Sequence, residues 1–195
     1  MASGARILFV AVLLSAIFLL FAGTSFAAPT FSIDSTDILP GTTDVVLDFN
    51  ISGVNPSDNI DSVSFDLTLS EGLSLTDVTF VNVPSGWSPA ASISNNRFGA
   101  TDFGWPANPL TSDISQFAQL NFSIDPAYST AGNIFDIDFG FYDIADADGS
   151  KLQLGAESFD AGQVQVGAAA PLPSALILFG CGLAGMIGFR RKLKS

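Results

Sequence analysis

The chain has 195 residues, no histidine, one cysteine and a formal net charge of −12 at pH 7. All 19 acidic residues lie between residues 28 and 167, where Arg97 and Lys151 are the only basic residues. Such an acidic body repels nucleic acids, and without histidine or cysteine it lacks histidine-based triads and the usual transition-metal ligands. The single cysteine, Cys181, falls in the C-terminal apolar run, so the body has no disulfide.

The first 27 residues predict a secretory signal peptide. Arg6 precedes an apolar stretch over residues 7–22, and Ser25-Phe26-Ala27 ends it with small residues at the cleavage positions. A basic start, a short apolar core and a small-residue end are typical of export signals. We expect cleavage after Ala27, with an uncleaved N-terminal anchor as the alternative.

Residues 28–167 predict one all-β domain. Apolar and polar residues alternate with a period of two at 63–69, as expected of a strand with one buried face. The same alternation marks residues 45–51, 120–124, 137–141 and 164–166. Turn-forming pairs separate these segments, among them Pro40-Gly41, Glu71-Gly72, Asp125-Pro126 and Asp148-Gly149. We therefore predict an antiparallel β-sandwich of about eight or nine strands around a phenylalanine-rich core.

The order of these strand segments matches a known arrangement. The matching segments are residues 31–35, 45–52, 60–69, 73–78, 120–124 and 162–166, with Asp146-Ala147-Asp148-Gly149 before the last. Their succession resembles a cohesin-like sandwich of the carbohydrate-binding-module type, although Ser70-Glu71-Gly72 stands where cohesins usually carry Tyr-Asp-Pro or a similar turn. Because cellulosomal cohesins bind dockerins through a sheet face, the resemblance implies a binding module for a dockerin-type protein or for carbohydrate.

Two tryptophans lie in segments rich in proline and glycine. Trp87 lies within residues 84–89, and Trp105 lies within residues 104–109. A tryptophan on an exposed loop can stack on a sugar ring, which predicts carbohydrate binding. The same amphipathic ring can instead cap the edge of a phenylalanine-rich core. The sequence leaves both hypotheses open.

Asp143, Asp146 and Asp148 form the densest acidic cluster and are followed by Gly149. Closely spaced carboxylates suit Ca²⁺, which prefers oxygen ligands. The EF-hand pattern fails, however, because Ile144 occupies the first ligand position and Gly155 the twelfth. The alternative is a β-hairpin whose turn is Asp148-Gly149. No other cofactor is predicted.

No arrangement of residues in the body points to catalysis. A glycosidase needs two carboxylates in a cleft, but nothing in the placement of the 19 acidic residues singles out such a pair. We therefore predict that the protein is not an enzyme.

Residues 168–195 predict a membrane-targeting segment. Pro171-Leu172-Pro173 is followed by an apolar run and then by Arg190-Arg191-Lys192. As a helix, residues 175–189 would span about 22 Å, against about 30 Å for a bilayer core. We predict a transmembrane helix at 174–189 that is only marginally stable in lipid, with its basic end on the cytoplasmic side.

The succession of proline motif, apolar run and basic end resembles the PEP-CTERM sorting signal, in its Val-Pro-Leu-Pro variant. Leu172 stands where the family name has Glu, and Ala170 stands where the variant usually has Val. The resemblance implies an integral-membrane exosortase that cuts near the proline motif and releases or transfers the protein. We interpret the chain as an exported protein, held first at the inner membrane and then passed to the cell surface or medium. Its expected role is structural or adhesive, in an exopolysaccharide-rich envelope or biofilm.

Overall fold

The computed structural model describes residues 28–104 and 107–167. Within them the chain forms the strands β1 (Thr30–Ile33), β2 (Thr36–Ile38), β3 (Asp44–Ser52), β4 (Ile60–Leu69), β5 (Leu73–Phe80), β6 (Trp87–Ser92), β7 (Arg97–Asp102), β8 (Ile114–Ile124), β9 (Ile134–Asp146), β10 (Phe159–Asp160) and β11 (Gly162–Val166). Short 3-10 helices lie at Pro56–Asp58, Ile93–Asn95 and Ala156–Ser158.

The strands form two sheets whose inner faces pack on each other. The five-stranded sheet has the order β10-β1-β3-β8-β5, and the six-stranded sheet has the order β2-β11-β9-β4-β7-β6. Along β3 the apolar residues Val45, Leu47, Phe49 and Ile51 are buried, while the residues between them are exposed or half-buried. This period of two is what one buried sheet face requires. The predicted all-β sandwich is confirmed.

The structure differs from the prediction in the number and direction of its strands. The described residues contain eleven strands, and β2 and β10 pair in parallel with β11 and β1 at the sheet edges. These two strands have only three and two residues, too few to show a periodic pattern. β6 and β7 contain Pro89 and Gly99, which disfavour strands locally. β7 forms because Phe98 and Ala100 bury their side chains in the core, and β6, which begins with the buried Trp87, pairs with it.

Phenylalanine rings from both sheets meet at the centre of the core. The ring centroid of Phe49 lies 5.0 Å from those of Phe65 and Phe98 and 6.0 Å from that of Phe117. All four rings are fully buried. Phe49 and Phe117 belong to the five-stranded sheet and Phe65 and Phe98 to the six-stranded sheet, so these contacts join the two sheets.

The turn between β4 and β5 depends on a glycine. Gly72 has a φ of 85°, in the left-handed region, and a Cβ atom there would lie 2.6 Å from Cγ of Tyr128. The hydroxyl of Tyr128 donates a hydrogen bond to Oε1 of Glu71 at 2.6 Å. The predicted turn at Glu71-Gly72 is confirmed, and Tyr128 ties it to the loop before β9.

The two predicted targeting segments lie outside the described residues. These are the signal peptide at 1–27, with its cleavage site at Ala27, and the sorting segment at 168–195, with Pro171, Leu172, Pro173, Arg190, Arg191 and Lys192. Both stay predictions. Among residues 28–104 and 107–167, no helix has the length and apolar character needed to cross a bilayer.

Replacing Phe49 by alanine is expected to destabilise the domain by about 3–5 kcal/mol, because it removes a fully buried ring and leaves a cavity between the sheets. Urea denaturation followed by tryptophan fluorescence measures this loss. The control is Val46→Ala on the same strand, where the side chain is 53% exposed and a change within about 0.5 kcal/mol is expected. Equal losses in the two variants would contradict the central position of Phe49.

Candidate functional site

Trp87 is a core-edge residue in the structure. It begins β6, is only 7% exposed, and its Nε1 donates a hydrogen bond to the carbonyl oxygen of Asn108 at 2.9 Å. Asn108 in turn donates from Nδ2 to the carbonyl oxygen of Ser85 at 2.9 Å. The ring therefore closes the edge of the sandwich and presents no open face for a sugar. Trp105 lies outside the described residues, so its proposed role in carbohydrate binding stays a prediction.

Of the three aspartates predicted to bind calcium, Asp143 and Asp146 lie in β9 and Asp148 lies in the turn that follows it. Oδ1 of Asp146 accepts hydrogen bonds from the backbone N–H groups of Asp148 and Ser150, at 3.0 and 2.8 Å. Oδ2 of Asp143 accepts one from Nζ of Lys151 at 2.9 Å. In the described part of the chain, no three acidic side chains lie close enough together to hold a metal ion. The segment thus has the geometry of the alternative, a hairpin that turns at Asp148-Gly149.

Asp61, Asp102 and Asp146 lie at one end of the six-stranded sheet, on the neighbouring strands β4, β7 and β9. Burial, followed by the nearby charges of Asp102 and Asp146, raises the pKa of Asp61. Oδ1 of Asp102 accepts a hydrogen bond from the backbone N–H of Gly104 at 2.7 Å, and its other oxygen accepts one from Asn108. The carboxylate of Asp102 therefore holds the chain that follows β7.

The outer surface of the six-stranded sheet carries small side chains on three neighbouring strands. We call this surface the β4–β7–β6 face and define it by Ser62, Ser64, Ser88, Ala90, Gly99 and Thr101. Register aligns these residues across the sheet: Ser62 and Ser88 both pair with Thr101, while Ser64 and Ala90 both pair with Gly99. Residues paired directly across strands share one face of a sheet. The result is a shallow cleft of about 290 Å³.

An exposed aromatic ring lies beside this cleft. Phe103, just after β7, lines the cleft and is 80% exposed, the largest exposed fraction among the large apolar residues described. Sequence reasoning missed it, because an aromatic residue after a strand looks the same whether it turns inward or outward. Rings of this size are typical anchors of protein–protein contacts when they lie beside a cleft.

An ion pair lies on the same outer surface. Nη2 of Arg97 donates to Oδ2 of Asp66 at 2.6 Å, and its Nε donates to Oδ1. These bonds from the guanidinium lower the pKa of Asp66. The pair is solvent-exposed and orients Arg97 across β4 and β7, so its main effect is on the shape and charge of the surface rather than on stability.

The outer surface of the five-stranded sheet is different in character. Nε2 of Gln116 donates to both carboxylate oxygens of Asp48, at 3.1 and 3.0 Å, and Nε2 of Gln119 donates to Oδ1 at 3.3 Å. Nδ2 of Asn50 donates to Asp34 at 3.0 Å. These polar groups bond to one another, and Val46 is the large apolar residue exposed among them. Of the two outer surfaces, the β4–β7–β6 face is therefore the better candidate for binding.

Comparison with known proteins adds information on the fold. No protein-family model and no curated protein matches the sequence. Among solved structures, the third ScaC cohesin of Acetivibrio cellulolyticus, in complex with the ScaB dockerin, gives a TM-score of 0.58 at 17% identity over 72% of this chain and 100% of that one. The seventh ScaB type I cohesin of Pseudobacteroides cellulosolvens gives 0.56 at 21% identity, over 74% and 96%.

The likeness extends beyond cellulosomes. A non-cellulosomal cohesin of the archaeon Archaeoglobus fulgidus gives a TM-score of 0.51 at 17% identity, over 72% of this chain and 91% of that one. At such identities the likeness shows the fold alone. The body is a cohesin-like β-sandwich, as the order of its strand segments predicted. The prediction that the protein is not an enzyme stays a prediction.

We expect Asp61→Asn to raise the free energy of unfolding at pH 7. The folded pKa of Asp61 is raised, so ionisation costs stability as the pH rises past the unfolded value of about 3.9, and the amide removes this cost. Thermal unfolding at pH 7 and at pH 3 measures the effect, which should vanish at pH 3, where the carboxyl is protonated in both states. The control Asp37→Asn, at an exposed site, corrects for the general loss of negative charge. A gain that is equal at both pH values would contradict this explanation.

Proposed function

We propose that this protein is an exported, non-catalytic binding module that holds a dockerin-type protein partner on its β4–β7–β6 face. The observation that carries the proposal is Phe103, an 80% exposed ring beside a cleft of small side chains, on a cohesin-like sandwich. Solved relatives in fold were crystallised in complex with dockerins, including cohesins of Acetivibrio cellulolyticus and of Clostridium thermocellum. This supports a protein partner before any other ligand class.

The shape of the face suits a protein partner. Because Ser64, Ala90 and Gly99 have short side chains, the backbone of a partner can approach the sheet closely. Phe103 then supplies the large apolar contact that dominates many interfaces, and the polar residues around it supply an interface rim. The body carries 19 acidic and two basic residues, so we expect the partner's contacting surface to be basic.

Carbohydrate binding has less support from the described residues. Of the two tryptophans predicted to bind carbohydrate, Trp87 is 7% exposed and hydrogen-bonded through Nε1, so it offers no open face to a sugar. The proposal therefore favours protein over glycan. A structural or adhesive role in an exopolysaccharide-rich envelope stays compatible with it, since a surface module can hold such material together through a protein partner.

Isothermal titration of the full-length chain with a panel of dockerin domains tests the partner class. We expect binding by at least one dockerin, and a loss of about tenfold or more in affinity in Phe103→Ala. Ala90→Trp, which fills the cleft, should have the same effect. Val46→Ala, an exposed apolar truncation on the opposite sheet, is the matched control and should bind as the parent does. Binding to a glycan array together with no dockerin binding would contradict a protein partner and indicate carbohydrate as the ligand.

The cellular route is proposed from the sequence of the two ends. We propose that residues 1–27 direct export and that residues 168–195 hold the protein at the inner membrane until an exosortase-type enzyme cuts near Pro171-Leu172-Pro173. The support is the order of proline motif, apolar run and basic end at 190–192. The body bears all of the acidic residues, which suits solubility after release.

Mass spectrometry of the cell-surface and secreted fractions tests this route. We expect a mature form that begins at Ala28 and lacks the residues after the proline motif. Deleting the enzyme that recognises the tail should leave the longer form in the membrane fraction. The control is a chain with Arg190, Arg191 and Lys192 replaced by alanine, which should lose its basic stop and be processed poorly. A full-length chain free in the cytosol would contradict the proposed route.

A further inference from the structure

Strand β9 is left uncovered along part of one edge. On its first side, β9 pairs with β4 from Ile137 to Asp146. On its second side the described residues place β11, whose register with β9 runs from Ile134 only to Ile137. The chain before β11 crosses to the other sheet, where β10 pairs with β1. Residues 138–143 of β9 therefore have no strand partner on this side within the described part of the chain.

A groove of about 550 Å³ runs along this open edge, between residues 138–144 of β9 and the crossing segment 151–161. Aromatic rings line it: the ring centroid of Phe159 lies 5.3 Å from that of Phe139 and 4.4 Å from that of Tyr142. The hydroxyl of Tyr142 donates to the carbonyl oxygen of Leu154 at 2.9 Å, which ties the strand to the crossing segment. Phe141, 53% exposed, also lines the groove.

Peptide groups of β9 point into this groove. In an antiparallel ladder, the N–H and C=O of one residue point to the same side, and the side alternates along the strand. The carbonyl oxygen of Ile144 accepts a hydrogen bond from the N–H of Leu152 at 2.9 Å, so the backbone N–H and C=O of Ile144 point away from β4. Because the direction alternates, the backbone N–H and C=O of Tyr142, two residues earlier, also point away from β4 and into the groove. The shift in register opposite Asp66 and Leu67 leaves Gly140 as a bulge, which further loosens the ladder here.

The negative charge around the groove favours a cationic ligand. Residues 138–161 include six acidic residues and one basic residue, Lys151, whose Nζ is paired with Asp143. Asp138 and Asp143 line the groove directly. A second copy of this acidic chain would be repelled, so edge-to-edge dimerisation at β9 is disfavoured. A segment that bears lysine or arginine complements the site.

We propose that the groove along β9 binds an extended, cationic peptide segment of another protein by strand addition. The open edge supplies main-chain hydrogen bonds, the aromatic rings take alternate apolar side chains, and Asp138 attracts the basic ones. Residues 138–143 extend over about 20 Å at strand spacing, enough for a peptide of about six residues. This site is separate from the β4–β7–β6 face and does not depend on the partner proposed there.

Fluorescence anisotropy with a labelled peptide of about eight residues, alternating lysine and valine, tests the proposal on the full-length chain. Two matched peptides complete the test: one with glutamate in place of lysine, and one N-methylated at alternate residues, which removes main-chain donors without changing the charge. We expect both to bind at least about tenfold more weakly than the lysine peptide. Equal binding by the N-methylated peptide would overturn strand addition, and equal binding by the glutamate peptide would overturn the charge argument.

Variants of the chain locate the binding. Asp138→Lys reverses an exposed charge of the groove and Phe141→Ala removes an exposed ring from its lining, so both should fold and both should weaken binding about tenfold. Phe103→Ala, on the other candidate surface, should bind the peptide as the parent does. Loss of binding in Phe103→Ala but not in Asp138→Lys would overturn the groove as the site. A further comparison uses a chain that ends at Pro173. If this shorter chain binds the peptide and the full-length chain does not, the groove is occupied by the chain's own basic C-terminal end, and the proposal of a separate protein partner is overturned.

Discussion

Burial of the phenylalanine rings between the two sheets is the constraint on which the rest of the structure depends. Phe49 touches rings of both sheets at 5.0–6.0 Å, and its position sets which face of each strand turns inward. Once these faces are buried, register places the small residues Ser64, Gly99 and Ala90 side by side on the outside. The candidate binding face is thus a consequence of the core.

The passage of the chain from one sheet to the other has an equally physical consequence. An unpaired strand edge exposes backbone N–H and C=O groups, and in the described residues most strands are paired along both edges. The short β10 pairs with β1, and its Phe159 packs on Phe31 of that strand at a centroid distance of 5.9 Å and on Tyr142 of β9 at 4.4 Å. That packing leaves residues 138–143 open and lines the groove beside them with aromatic rings. A short crossing connection therefore creates a site that no single strand encodes.

The distribution of charge connects the two candidate surfaces. With 19 acidic residues in the body, the ligands that we propose for the β4–β7–β6 face and for the β9 groove are both basic, and copies of the same chain are disfavoured. The acidic groups are also partly used within the fold. Asp146 holds a turn, Asp66 pairs with Arg97, and Asp102 holds the chain after β7. In these places the carboxylates stabilise turns and an ion pair within the fold.

Alternating apolar residues predicted β3, β4, β8, β9 and the all-β class, because a period of two is a local property of a half-buried strand. Patterns of composition likewise predicted the turn at Glu71-Gly72 and the acidic body. Local sequence could not decide whether Trp87 lies on a loop or closes the core. It also could not show that Phe103 turns outward. Those outcomes, the parallel edge strands and the open edge of β9 depend on contacts between residues far apart in the chain, which tertiary packing alone determines.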